Sequence, residues 1–219
     1  MSVATEDRYV PAAGRTWLTR LYDPVVALTT RERRFRGLLA ERVLAALPQG
    51  GVVADVGCGT GTFAIALAAT RPDATVIGID GDEQVLALAR AKPRAQRVDW
   101  RRGLAGELDM ADAAADAVVM SLLLHHLEPQ AKRAALEDAR RVLRLGGTLH
   151  VADWGRPHDP LMRAAFGVLQ AIDGVSNTRD HAAGRLPAMI GGAGFTDVST
   201  YARLRTAWGS LELLTAQCA

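Results

Sequence analysis

From residue 52 onward, short β-branched runs alternate with stretches of helical periodicity, and few architectures accept that rhythm. GVVADVG (51–57) is a continuous apolar run, the pattern of a strand buried on both faces. TFAIALAAT (62–70) follows as a helix stopped before Pro72. ATVIGID (74–80) is a second strand, and EQVLALARAK (83–92) a second helix halted at Pro93. AQRVDW (95–100) reads as a weaker, edge-like strand, and DAVVMS (116–121) and TLHVAD (148–153) as buried ones. Between these last two, Pro129 opens a helix with an apolar stripe of Leu136, Ala139, Val142 and Leu143. Gly146-Gly147 is expected to close it, with Arg140, Arg141 and Arg144 in the last turns, where cations complement the helix dipole. The tail, FTDVSTYARLRTAWGSLELLTAQC, reads as two antiparallel strands joined near Trp208-Gly209. The expectation is an α/β fold: a mixed seven-stranded sheet with helices on both faces and a C-terminal antiparallel strand pair.

At 219 residues one domain is the default. Its parts are a helical N-terminal segment (1–47), a core (48–154), a helical cap insertion (155–194) and the strand pair (195–219). In the insertion, Asp159 as N-cap and Pro160 open a helix, with a face of Leu161, Ala165, Val168, Leu169 and Ile172 expected to pack inward and Gly174 as its end. Met162 and Phe166 on the same helix are candidates for an acceptor pocket or for simple packing. A net charge of +2 is too small to argue for nucleic acid, and no stretch has the ~18 apolar residues of a membrane span. The start, MSVATEDRYV, does not read as a signal peptide, and Cys58 and Cys218 make no disulfide framework, so a cytoplasmic location is expected. His125-His126 is adjacent, with neither CxxC nor HExxH to complete a site, so no metal is expected.

The run VADVGCGTG (53–61) asks which ligand its glycines admit. A dinucleotide fingerprint would place a glycine at position 62, where Thr62 stands, and a Walker loop would need a GKS or GKT. Asp55, at the end of the first strand, would repel a pyrophosphate and favour a ligand carrying a cation. Asp80 ends the second strand, where an acid accepts hydrogen bonds from ribose hydroxyls. A cationic amino-acid moiety and a ribose together describe S-adenosylmethionine.

VADVGCGTG, IGID (77–80), DAVVMSLLLHHL (116–127) and RVLRLGGTLHVAD (141–153) resemble, in order and spacing, the class I S-adenosylmethionine-dependent methyltransferases, with the ubiquinone/menaquinone-biosynthesis type nearest. The resemblance covers residues 50 to 153 and implies a Rossmann-like fold. It implies S-adenosyl-L-methionine as cofactor and S-adenosyl-L-homocysteine as product, with Asp55, Gly57 and Gly59 lining the methionine part and Cys58 contributing backbone. Asp80 would hold the ribose, Gly81 would let the adenosine lie close, Leu104 and Ala105 would adjoin the adenine, and Ser121 would face the amino-acid end. Many relatives carry Asp or Asn where this chain has Leu104, so here the ring is expected to be packed against, with backbone amides reading its edge.

Methyl transfer from a sulfonium is an in-line displacement that alignment and water exclusion can promote; a base matters only when the acceptor must lose a proton. His126, Asp153, Tyr22 and the insertion's His158 are the catalytic candidates, each with a bland rival: a capping contact for His125 and His126, loop hydrogen bonding for Asp153, core packing for Tyr22 and Trp17. His158 and His181 read as polar loop residues. Arg31, Arg33, Arg34 and Arg36 are a solvated face or, alternatively, a patch for peripheral association with anionic lipid. The expected substrate is a small, apolar acceptor of quinone-precursor, lipid or secondary-metabolite type; the alternative is a non-catalytic sensor or scaffold that binds the same cofactor.

Overall fold

The computed structural model describes residues 30–219. Seven strands form one sheet in the order β3-β2-β1-β4-β5-β7-β6. They are β1 (Val52–Val56), β2 (Thr75–Asp80), β3 (Val98–Arg102), β4 (Ala115–Ser121), β5 (Leu143–Trp154), β6 (Phe195–Thr206) and β7 (Gly209–Cys218). The first five run parallel, and β7 enters antiparallel between β5 and β6. The expected mixed sheet and its terminal strand pair are both present, with the turn at residues 207–208.

Among the described residues seven helices cover the sheet: α1 (Glu32–Ala46), α2 (Thr62–Thr70), α3 (Glu83–Arg90), α4 (Pro129–Val142), α5 (Pro160–Asp173), α6 (Val175–Ala182) and α7 (Leu186–Gly192). Successive side chains on a strand point to opposite faces, so the sheet feeds two separate cores. On one face Val53, Val76, Ala117, Val119, Ala152 and Trp154 pack with Phe35 and Leu39 of α1, Phe63 and Leu67 of α2 and Phe166 of α5. On the other, Val56, Ile79, Val118, Met120 and Val151 pack with Leu136 and Val142 of α4 and Leu186 and Ile190 of α7. The chain between β5 and β6 therefore begins in one layer and finishes in the other.

Two local expectations are corrected. Helix α4 ends at Val142 and β5 begins at once, so Gly146-Gly147 lies inside the strand, where its pairing with β4 slips between Ala115 and Ala117. Arg144 is thus a strand residue, holding Asp116 by two contacts of 2.7 and 2.8 Å rather than capping a helix. On α5, Asp159 caps the start by accepting from the Met162 amide at 2.8 Å, but the buried side is Met162, Phe166 and Leu169. Leu161, Val168 and Ile172 are 55–66% exposed. Both stripes have helical spacing; the turn entering α5 chose the one that meets β7, where Phe166 lies over the bare Cα of Gly209.

Phe166→Ala should therefore cost about 3–5 kcal/mol of unfolding free energy, whereas Val168→Ser or Ile172→Ser should change it by no more than about 0.5 kcal/mol. Urea denaturation measures both, and a large cost at Ile172 would show the wrong face to be buried.

Candidate active site

The sheet order reverses between β1 and β4, and in open α/β sheets ligands bind beyond the strand ends at such a switch point. Asp55 pairs in register with Gly78 and Val119, so Asp55, Gly78 and Asp80 share the face that α1 and α2 cover, and Ser121 follows on the same parity. Asp153 has the opposite parity and points to the face of α4 and α7.

The glycine loop is held by its own amides. Gly57 and Cys58 both donate to the carbonyl of Ile79, at 2.8 and 3.0 Å, and Gly61 donates to Cys58 O. Gly59 donates to the Asp80 carboxylate at 2.9 Å. A phosphate cradle needs these N–H groups free, and here they are consumed. Gly57, Gly59 and Gly61 are all left-handed, with φ of 71°, 55° and 74°. A Cβ would strike Leu123 at Gly57 and Trp100 at Gly61, while at Gly59 it would meet nothing within 4 Å. Two glycines thus serve packing, and the middle one faces open space. Cys58 is buried and its thiol is pushed well above the usual range by that burial, so it is an inert residue.

Asp55 is 1% exposed, and its Oδ2 has no hydrogen-bond partner. Burial pushes its pKa up to about 7, against the opposing charge of Arg36. Arg36 is the residue that sequence reasoning misplaced. Arg31, Arg33 and Arg34 are exposed, but Arg36 turns inward from α1, pairs with Glu32 at 2.6 Å, and leaves Nε and Nη1 buried without partners. No motif marks it; only its place on the inward stripe of α1, beside Phe35 and Leu39, distinguishes it from its neighbours. Asp80 accepts from Gly59 and, at 2.9 Å, from Asp82, and burial raises its pKa. Each of its oxygens keeps a second lone pair. Gly81, Leu104 and Ala105 are half-buried at the ends of β2 and β3, which Gly103 N joins by donating to Asp80 O at 3.0 Å. Tyr22 and Trp17 lie outside the described residues.

After β4 the chain turns sharply. Leu122 adopts a left-handed φ of 52°, its amide held by Ala152 O at 2.8 Å, and a 3-10 turn over Leu124–His126 follows. Asp153, wholly buried, organises this turn, accepting from the amides of Leu124 and Trp154 at 2.8 and 2.7 Å. Because a carboxylate can only accept, His125 donates from Nδ1 to Asp153 at 2.7 Å, which fixes its tautomer. Burial alone would raise the Asp153 pKa; His125 and the backbone amides outweigh it and hold the carboxyl below the usual range. Asp153 therefore stands behind the turn as its anchor. His126 is half-buried, its Nε2 lacks a partner, and burial pushes its pKa down to about 3. Burial thus disfavours its imidazolium form.

His181, expected in a loop, is fully buried on α6, donating from Nδ1 to Trp154 O at 2.7 Å. Asn177 of the same helix donates to His126 O at 3.1 Å and receives the buried Lys132 on its own carbonyl. His158 hydrogen-bonds Ser210 at 2.6 Å. Met162 and Phe166 belong to the core. Asp173, which the sequence reading did not single out, is brought by the end of α5 to 3.8 Å from both His125 and His126. A separate groove of about 310 Å³, beside Arg42, Thr148 and His150 midway along β5, contains none of the expected residues.

A family model described as a methyltransferase domain matches residues 53–147. An uncharacterized methyltransferase of Synechocystis sp. is 29% identical over 93% of this chain and 95% of its own length. A demethylmenaquinone methyltransferase of Roseiflexus sp. is 35% identical over 55% of this chain, which spans 50% of that relative. Among solved structures, a putative O-methyltransferase from Nostoc punctiforme shares the fold, with a TM-score of 0.71 at 23% identity over 91% of this chain and 58% of that one.

Asp153→Ala should destabilise the protein by about 3–5 kcal/mol, because it strips a buried histidine and two amides of their shared acceptor. Equilibrium unfolding in urea checks it; a loss below about 1 kcal/mol would remove Asp153 as the anchor of the turn.

Proposed function

We propose that the chain is a class I S-adenosylmethionine-dependent methyltransferase, as its methyltransferase-domain match and its relatives support, and that it moves a methyl group to a small, largely apolar acceptor held between the turn after β4 and the α5–α6 segment. The observation that carries the cofactor half of this reading is a complementary pair of buried orphans on the α1 face: a carboxylate oxygen of Asp55 and two guanidinium nitrogens of Arg36. A zwitterionic amino acid needs such a pair. Asp55 would hold the ammonium of the methionine part and Arg36 its carboxylate, the fork geometry of a guanidinium suiting a carboxylate. Asp80 would hold the ribose through its remaining lone pairs, with Gly59 leaving room beside it and Gly81, Leu104 and Ala105 bounding the adenosine.

When bound, S-adenosyl-L-methionine supplies a sulfonium-bound methyl carbon for in-line displacement, with S-adenosyl-L-homocysteine as product. The chain's own contribution is alignment and exclusion of water. Leu123 closes on Gly57, and Leu122 and Leu127 stand half-buried beside it, so the mouth after β4 is apolar. Ser121 would border the amino-acid end, and His126 offers the acceptor a neutral hydrogen-bonding edge. The Roseiflexus relative acts, by its name, on demethylmenaquinone, which favours an acceptor of quinone-precursor type. No described helix is long and apolar enough to cross a membrane; the exposed Arg31, Arg33 and Arg34 would instead draw the protein peripherally to anionic lipid. Flotation with anionic liposomes at low salt tests that attraction, and absence of binding ends it.

Calorimetry should show S-adenosylhomocysteine binding in preference to methylthioadenosine, which lacks the zwitterion. Arg36→Gln should erase about tenfold or more of that preference, the loss expected for a charge-assisted hydrogen bond. Equal affinities in the unaltered protein would sink the Asp55–Arg36 reading. The pH dependence follows from Asp55. A carboxyl whose folded pKa is raised contributes stability that is full below its unfolded value and lost as pH rises through about 7. The ligand-free protein should lose stability over that window, while affinity for S-adenosylhomocysteine rises because the ammonium recruits the ionised form. Asp55→Asn should flatten both profiles.

A further inference from the structure

We propose that His125, His126 and Asp173 bind a divalent transition-metal ion of the zinc type, fastening the end of α5 to the turn after β4. Each residue offers one donor atom, and the three donors lie within 4.8 Å of one another. His125 Nε2 is 3.8 Å from Asp173 Oδ2, and His126 Nδ1 is 3.8 Å from Asp173 Oδ1. Those separations are too long for hydrogen bonds. They are close to the edge of a coordination tetrahedron, which for metal–ligand bonds of about 2.0–2.2 Å measures roughly 3.3–3.6 Å. Drawing one carboxylate oxygen and the two imidazole nitrogens in from their present spread of within 4.8 Å completes the site.

Three further observations point to a cation at this place. The Asp173 side chain is 11% exposed, and among the described residues its carboxylate makes no hydrogen bond. A carboxylate so nearly enclosed needs a positive partner. His125 has its Nδ1–H committed to Asp153, so its Nε2 lone pair is bare and aimed toward Asp173. That is the carboxylate–histidine–metal arrangement, in which an outer carboxylate fixes the tautomer and orients the ligating nitrogen. The two rings are neighbours on one 3-10 turn, centroids 3.9 Å apart and tilted by 42°, so a single rigid turn presents both.

Two imidazoles and one carboxylate suit zinc, cobalt, nickel or ferrous iron, and not the all-oxygen preference of magnesium or calcium. Three protein ligands leave a coordination position for water or for an oxygen or nitrogen of an acceptor. The ligand set is split between the core and the insertion, so metal binding would fix α5 and α6 against the β4 turn. The proposal does not depend on the identity of the cofactor bound across the sheet.

The test uses the full chain, stripped with chelator and titrated with zinc chloride against a competing chelator, with binding of S-adenosylhomocysteine measured on the same samples. One zinc ion per chain and a raised melting temperature are expected. Asp173→Asn and His126→Ala, each checked for native circular dichroism, should each weaken zinc binding by about tenfold or more, and Asp153→Asn should do so through its outer position. Cobalt(II) should give the visible absorption of a tetrahedral site in the unaltered protein and lose it in the variants. Zinc uptake of unchanged affinity in both ligand variants would place the metal elsewhere and overturn the proposal. So would failure to take up zinc by protein that still binds S-adenosylhomocysteine. If Asp173→Asn does not fold, His126→Ala with the cobalt spectrum decides alone.

Discussion

The alternation of side chains along parallel strands is the constraint from which the site follows. Register between β1, β2 and β4 is pinned by buried apolar runs whose slip by one residue would turn every core side chain to the wrong layer. The same parity that sends Val53 and Val76 into the α1–α2 core sends Asp55 and Asp80 to that side, two acids at neighbouring strand ends. Asp153, of opposite parity on β5, is committed to the other layer and to the histidine turn. The molecule thus separates two chemistries with one sheet. One side carries Asp55 and Arg36 with their unpartnered atoms; the other carries a fully hydrogen-bonded carboxylate that shapes a loop.

The charge logic of the glycine loop rests on that geometry. With the amides of Gly57, Cys58, Gly59 and Gly61 all satisfied by Ile79 O, Asp80 and Cys58 O, the loop has little left with which to attract an anion. Its electrostatic character comes from the carboxylates instead. An uncompensated buried acid is costly, and Arg36 offsets only part of the cost at Asp55. The remainder shows as the raised pKa of its carboxyl.

Much of this was legible in the chain. The central strands were present as apolar or β-branched runs, because a strand buried on both faces leaves little freedom in composition, whereas the edge strands β3 and β6 are mixed in composition. Asp55 and Asp80 stood out because a charge at the end of such an apolar run is costly to bury. What could not be read was anything set by tertiary packing. The α5 stripe of Leu161, Val168 and Ile172 has as good a period as Met162, Phe166 and Leu169, and only the position of β7 distinguishes them. Arg36 is one arginine in a basic run until the roll of α1 is known. The end of α4 was misplaced because Gly146-Gly147 reads as a helix stop, whereas Leu143 had already paired with Ala115. Asp173 lies far along the chain from the histidines, and linear spacing cannot bring it to them.

The order of the last three strands has a consequence for the way the chain is made. β7 follows β6 in the chain yet lies between β6 and β5. During synthesis β6 therefore emerges with no sheet partner and must wait as a bare edge until β7 arrives to join it to β5 on both sides. The layer built on β1 to β4, with Asp55 and Asp80 at its strand ends, has no such delay. The half of the sheet that bears these acids can be assembled while its remaining wall is still on the ribosome.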